Sequence, residues 1–245
     1  MKKLIAYAAL ISVPLIAVIG AVFAHGAHWE LACAAAAILC CVPFFASFEG
    51  RMPSSRELVL TAVMTAFSAV GRFVFAWLPF FKPVTAIVVI SAMYMGSGAG
   101  FMIGALSALV SNIYFGQGVW TPFQMFSWGI IGFIAGLLNK KNLLQNPVVL
   151  AVYGALSGAV YSMLMDIFTV LSAQNDFSGE LWLAAVAASL PVMGIYCVSN
   201  IVFVLILRKP LGKRMERLRV KYGVFDSRQK SERAQPKALE NSREK

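Results

Sequence analysis

Apolar residues run along this chain in long blocks broken by short polar turns, rather than recurring on one face of amphipathic elements. A hydrocarbon core of about 30 Å asks for about 20 apolar residues per helix. Blocks of that length lie at roughly 4–24, 29–48, 57–78, 121–138, 147–171 and 181–207. Residues 83–115 are also apolar, but a single helix through them would reach about 50 Å. The run Gly96-Ser97-Gly98-Ala99-Gly100 predicts a break there and two shorter helices.

Charge placement supports the break. With it, Lys2, Lys3, Arg51, Arg56, Lys140, Lys141, Arg208 and Lys209 all fall on one side of the membrane, leaving Lys82 and the span-end Arg72 near the other. Without it, Lys140 and Lys141 would lie opposite the N-terminal lysines, against the positive-inside rule. The expectation is therefore an all-α polytopic membrane bundle of eight spans, with both termini cytoplasmic. Two N-terminal helices (1–48) precede a six-helix core (56–207), and a basic, partly disordered cytoplasmic tail (208–245) follows.

Composition agrees: 59% of the residues are hydrophobic, 13% are charged, and the mean hydropathy is +0.74. The net charge of +10 raises nucleic acid as a partner, but more than half of the 21 Lys and Arg lie at or beyond Arg208. A basic tail next to a final span reads as an anchor at anionic membrane lipid, with no nucleic acid partner. Met1-Lys2-Lys3 and the apolar run to Ala24 resemble a signal peptide, but the run exceeds a usual h-region and reads as an uncleaved span. Cys33, Cys40, Cys41 and Cys197 sit in apolar runs without a C-x-x-C pair, and His25 and His28 have no further ligand nearby, so no metal site is expected.

Small residues at spacing four, Gly100 with Gly104, Gly132 with Gly136 and Gly154 with Gly158, let helix backbones approach closely in lipid. Residues 116–128, Gly-Gln-Gly-Val-Trp-Thr-Pro-Phe-Gln-Met-Phe-Ser-Trp, form a polar turn opening a helix between two apolar spans. Polar, irregular backbone at membrane depth is tolerated only where protein shields it or a cavity adjoins it, which marks an outward-opening pocket. Thr121, Pro122 and Gln124 read as a capping box. Capping does not account for the convergence of Asn112, Tyr114, Gln117, Trp120, Gln124 and Trp128 at one depth. A helix N-terminus there suits a ligand rich in acceptor oxygens.

Asp166 is the one clearly intramembrane acid, either functional with Arg72 as a long-range partner or part of a structural pair or hydrogen bond. No second carboxylate or histidine lies at its depth, so acid–base catalysis has no constellation to work with and no enzyme is expected. No G-x-x-x-x-G-K-[ST] sequence occurs, so the chain carries no P-loop of its own.

From Arg56 onward the chain resembles the substrate-specific S component of energy-coupling factor (ECF) vitamin transporters. The likeness rests on Glu57-Leu-Val-Leu-Thr-Ala-Val-Met-Thr-Ala66, Gly71-Arg72, Phe81-Lys-Pro-Val-Thr-Ala86, Gly100 through Asn112, Gly116 through Met125, Ser189-Leu-Pro191, Asn200 and Lys221-Tyr-Gly223. It covers about 56–223, and within the family the cobalamin branch is most similar. The resemblance implies a six-helix subunit that takes a vitamin from outside, without cofactor or chemistry of its own. Its implied partners are a transmembrane coupling subunit and two ATP-binding cassette subunits. On this basis Lys82, Asn112, Gln117, Trp120, Thr121, Gln124, Asp166 and Asn175 are expected near the ligand. The family's small-residue coupling motif falls on Ala62 and Ala66. The alternative is an ion-coupled secondary transporter in the cell membrane using Arg72 and Asp166 as a proton relay.

Overall fold

The computed structural model describes residues 29–49, 53–174 and 178–222. Among the described residues there are seven α-helices and no strand: α1 Trp29–Glu49, α2 Ser55–Val74, α3 Val84–Met95, α4 Ser97–Phe115, α5 Thr121–Asn139, α6 Pro147–Gln174 and α7 Gly179–Tyr222, with a 3₁₀ turn Leu143–Gln145. Five of them, α2 and α4–α7, are long and apolar enough to cross a membrane. The first expected span, together with Lys2, Lys3, His25, His28 and Arg51, lies outside the described residues.

The capping chemistry of α2 is local. The Ser54 hydroxyl accepts from the Glu57 amide at 3.3 Å, and the Glu57 carboxylate accepts from the Ser54 amide at 2.9 Å, a reciprocal capping box. At the other end of α2 the Lys82 ammonium donates to the carbonyls of Phe75, Ala76 and Leu78 at 2.7, 3.3 and 3.0 Å. A cation among the last free carbonyls complements the helix dipole.

The expected break falls at Gly96, whose φ of +88° is costly for any residue with a Cβ. It leaves α3 with 12 residues, about 18 Å by helical rise. That is too short to cross the bilayer, and α3 does not face it: 11 of its residues are buried. It forms the centre around which α2, α4, α5 and α7 pack.

The glycine pairs define two tight seams. On α4 and α5, a Cβ on Gly100 would meet the Gly132 carbonyl oxygen at 2.5 Å, and one on Gly104 would collide with the Trp128 carbonyl. On α6 and α7, a Cβ on Gly158 would meet the Cys197 amide nitrogen at 2.7 Å, while one on Gly154 would lie 3.4 Å from Asn200 backbone. Helix α1 docks on α4 and α5 through Phe44, stacked on Phe101 at 4.0 Å and edge-on to Phe133 at 5.1 Å.

Helix α7 does not stop where the apolar run ends at 207. It continues to Tyr222, with Leu211, Met215 and Leu218 packed onto the core and Arg208 donating to the Gln145 carbonyl. The spacing of those three residues puts them on one helix face, a pattern that the surrounding basic residues obscure in the sequence. Residues beyond 222 lie outside the described part of the tail.

Candidate functional site

The C-terminal ends of α2 and α4 and the N-terminal ends of α3 and α5 come together at one end of the bundle, where α6 and α7 pass beside them. Between them lies a cavity of about 340 Å³. The α2 end, with the loop after it, contributes Arg72, Phe80 and Lys82, α3 contributes Val84 and Thr85, and α4 ends on the wall at Phe115. Gln124 and Trp128 enter from α5, Gly158 and Tyr161 from α6, and Tyr196 and Asn200 from α7.

The aromatic residues form a connected wall. The Arg72 guanidinium lies 4.4 Å from the Phe115 ring centre and 5.3 Å from that of Trp128. Trp128 in turn stacks on Tyr161 at 5.0 Å and an interplanar angle of 12°, and Tyr161 meets Tyr196 edge-on at 5.2 Å. Tyr196 contacts the Phe80 ring at 5.8 Å. Phe80 holds a φ of +60°, a conformation that costs a bulky residue energy and turns the loop before α3 over the cavity.

A polar network runs behind this wall. Arg72 Nη1 donates to Ser111 Oγ and Asn112 Oδ1, both at 2.6 Å. Asn112 Nδ2 donates to Thr121 Oγ1 at 2.9 Å and Gln124 Oε1 at 2.8 Å, and Gln124 Nε2 donates to Tyr161 Oη at 3.3 Å. Buried polar side chains with satisfied partners hold a site rigidly in one geometry.

The capping-box reading of Thr121 is corrected here. Trp120 occupies the cap position and Thr121 opens the helix. The Thr121 hydroxyl accepts from the Gly118 amide at 3.3 Å and donates to Gln117 Oε1 at 3.0 Å. Gln124 is not needed to reach back to the cap, so its amide is available to Asn112 and Tyr161.

Of the residues expected near a ligand, Lys82 and Gln124 line the cavity. Asn112 and Thr121 are buried directly behind Gln124. Gln117 and Trp120 belong to the turn before α5, with Gln117 Nε2 donating to the Leu109 carbonyl at 2.8 Å and the Trp120 ring covering Gly118. Asp166 is buried away from the cavity wall and accepts from Ser189 Oγ at 2.6 Å. Arg72 and Asp166 form no ion pair with each other: Arg72 donates to Ser111 and Asn112, while Asp166 accepts from Ser189. Asn175 lies outside the described residues.

Sequence reasoning passed over Tyr196 and Asn200 as lining residues. Their i, i+4 spacing in an apolar run, with polar tips on one face, was the available signal. Lys82 carries a charge beside a second cation, and its pKa is lowered, first by burial and then by Arg72. Among the described residues no group of three or more His, Cys, Asp or Glu could hold a metal ion.

These features define a multi-pass helical membrane protein with an aromatic and cationic cavity at one end of the bundle. The family profile described as "ECF-type riboflavin transporter, S component" matches residues 52–217, and the chain belongs to that family. It is thus a membrane transport subunit of the vitamin-transporter class and not an enzyme. Among curated proteins it is similar to a UPF0397 protein of Aliivibrio fischeri (strain MJ11), 26% identical over 169 residues, which covers 60% of this chain and 91% of the relative. A UPF0397 protein of Vibrio atlanticus (strain LGP32) is 29% identical over 138 residues, 49% of this chain and 74% of the relative. No solved structure matches. Helix α1 lies N-terminal to the matched region.

Proposed function

We propose that the chain captures a vitamin from the extracytoplasmic side in the cavity bounded by Arg72, Gln124, Trp128 and Tyr161. It then delivers the vitamin through an ECF energising module made of a transmembrane coupling subunit and two ATP-binding cassette subunits. The observation that carries the reading is the cavity itself: about 340 Å³, walled by stacked aromatic rings and backed by a hydrogen-bonded polar network. That is the low end of small-molecule site volumes and suits a flat ring system of two or three fused rings with acceptor oxygens. The family description supports a flavin-sized ligand.

The sequence resemblance favours cobalamin instead. A corrinoid is far larger than this cavity, so that reading requires the Phe80 loop and the outer ends of α6 and α7 to move apart. The two substrates are separated by one experiment on the purified full chain in detergent, with co-elution and visible absorbance read for riboflavin and for cobalamin. Stoichiometric flavin retention supports the compact-ring reading. Cobalamin retention keeps the capture role and replaces the ligand. Retention of no vitamin from a wider panel by well-folded protein overturns the capture role.

A further inference from the structure

Among the described residues, the cavity wall contains two cations, Arg72 and Lys82, and no Asp or Glu. The two are not equivalent. Lys82 directs its ammonium at three backbone carbonyls, matching its three donors, and so contributes charge rather than hydrogen bonds. Arg72 has five N–H donors, of which only those on Nη1 have protein partners. Among the described residues its Nε and Nη2 donors have none, although the residue is half-buried and forms part of the wall.

A guanidinium in a membrane span is costly unless a charge or strong acceptor answers it. Phe115 and Trp128 supply part of that through their ring faces. Asp166, the buried acid on α6, is engaged with Ser189 instead. The unmet requirement is an anion with two parallel acceptors, the group that the Nε–Nη2 edge of an arginine receives as a bidentate pair.

We propose that the cargo carries an oxyanion, carboxylate or phosphate, that docks on the free edge of Arg72 within the field of Lys82. Its ring system then lies against Trp128 and Tyr161. This rests on the reading of the cavity as the capture site, and adds that the site selects by charge. Neutral ring vitamins bind less tightly than anionic counterparts with the same ring system, and cationic ones are rejected.

The test uses a matched pair, riboflavin and riboflavin 5′-phosphate, which share one ring system and differ by one phosphate, with cyanocobalamin alongside. Each is titrated into the purified full chain in detergent and followed by flavin fluorescence or co-elution. The phosphate form is expected to bind at least about tenfold tighter, which is one hydrogen-bonded charge pair's worth of affinity. Arg72→Gln should erase the difference and Arg72→Lys should keep part of it. Riboflavin binding as tightly as its phosphate overturns the inference while leaving the capture role intact, and so does selectivity that survives in a folded Arg72→Gln protein. Cyanocobalamin binding with neither flavin does the same. Binding of none of the three by folded wild-type protein removes the capture reading for these vitamins and the inference with it. The wild-type comparison needs no variant, so a misfolded Arg72→Gln protein would not rescue the idea.

Discussion

Gly100 and Gly132 face each other where α4 and α5 cross, and each would drive a side chain into the other's backbone. A Cβ on Gly100 would lie 2.5 Å from the Gly132 carbonyl oxygen, and one on Gly132 would collide with the Gly100 carbonyl. Backbone cannot swing aside as a flexible side chain does, so the crossing must open. Gly132→Val is expected to lose at least about 1–3 kcal/mol of stability. A thermal unfolding midpoint equal to wild type would contradict the close crossing.

Gly154 offers the contrast. Its Cβ would meet Val204 Cγ2 at 3.3 Å and Asn200 backbone at 3.4 Å, so the nearest atom is a side-chain methyl and the backbone stands at ordinary contact distance. Alanine also gains up to about 1 kcal/mol of helix propensity over glycine. Gly154→Ala should therefore stay within about 1 kcal/mol of wild type, and Gly158→Ala, aimed at Cys197 backbone at 2.7 Å, should fall well below it in the same melt.

Gln124 joins Asn112 to Tyr161 and borders the cavity. Gln124→Leu would deprive the buried Asn112 amide of an acceptor and remove a wall amide, a loss of about 1–3 kcal/mol. Vitamin affinity should drop about tenfold or more, whereas Trp120→Ala, in the turn outside the wall, should change it little. Equal losses for both would show that the turn itself contacts the ligand.

The outward face of α2 presents Ala62 and Ala66 among exposed Val59, Val63, Phe67 and Val70. Small residues on an apolar face let another helix approach. If this is the coupling surface, Ala62→Leu with Ala66→Leu should cut co-purification with the coupling subunit severalfold and leave vitamin binding unchanged. Undiminished co-purification would move the coupling surface elsewhere.

Lys82 gives a pH signature. Its pKa lies below the usual 10.5, through burial first and the charge of Arg72 second. The unfolded chain therefore holds more protons than the folded one between the lowered value and 10.5, so this group's cost to stability eases as pH rises through that window. Binding an anion works in the opposite sense: it favours the charged lysine and takes up a proton there. Anion affinity should fall as pH rises through the window, and Lys82→Gln should flatten the profile. A profile unchanged by the variant would assign the dependence to another group.

Much of the architecture was readable before any coordinates. Span lengths, the break at Gly96 and the polar turn at Gly116–Trp128 are local consequences of apolar run length, glycine and proline. The site was only half readable. Lys82 and Gln124, expected near a ligand, line the cavity, but Thr121 looked like a cap because a capping box is a short-range pattern. The competing partner, Asn112, is near in sequence but lies on another helix. The extension of α7 past Arg208 was hidden for a similar reason. Leu211, Met215 and Leu218 are apolar positions in a basic stretch, and only the core they touch makes them helix-docking residues.

The sequence by itself determined that this is a helical membrane bundle, where its helices begin and break, and which glycines allow close crossings. Those properties depend on residues within a few turns of one another. Tertiary structure alone decided that Phe115, Arg72, Trp128, Tyr161 and Tyr196 form one wall, and that Arg72 reaches Ser111 and Asn112 rather than Asp166. Helix rotation and tilt set those meetings. They are fixed by packing between segments far apart in the chain, which no local pattern records.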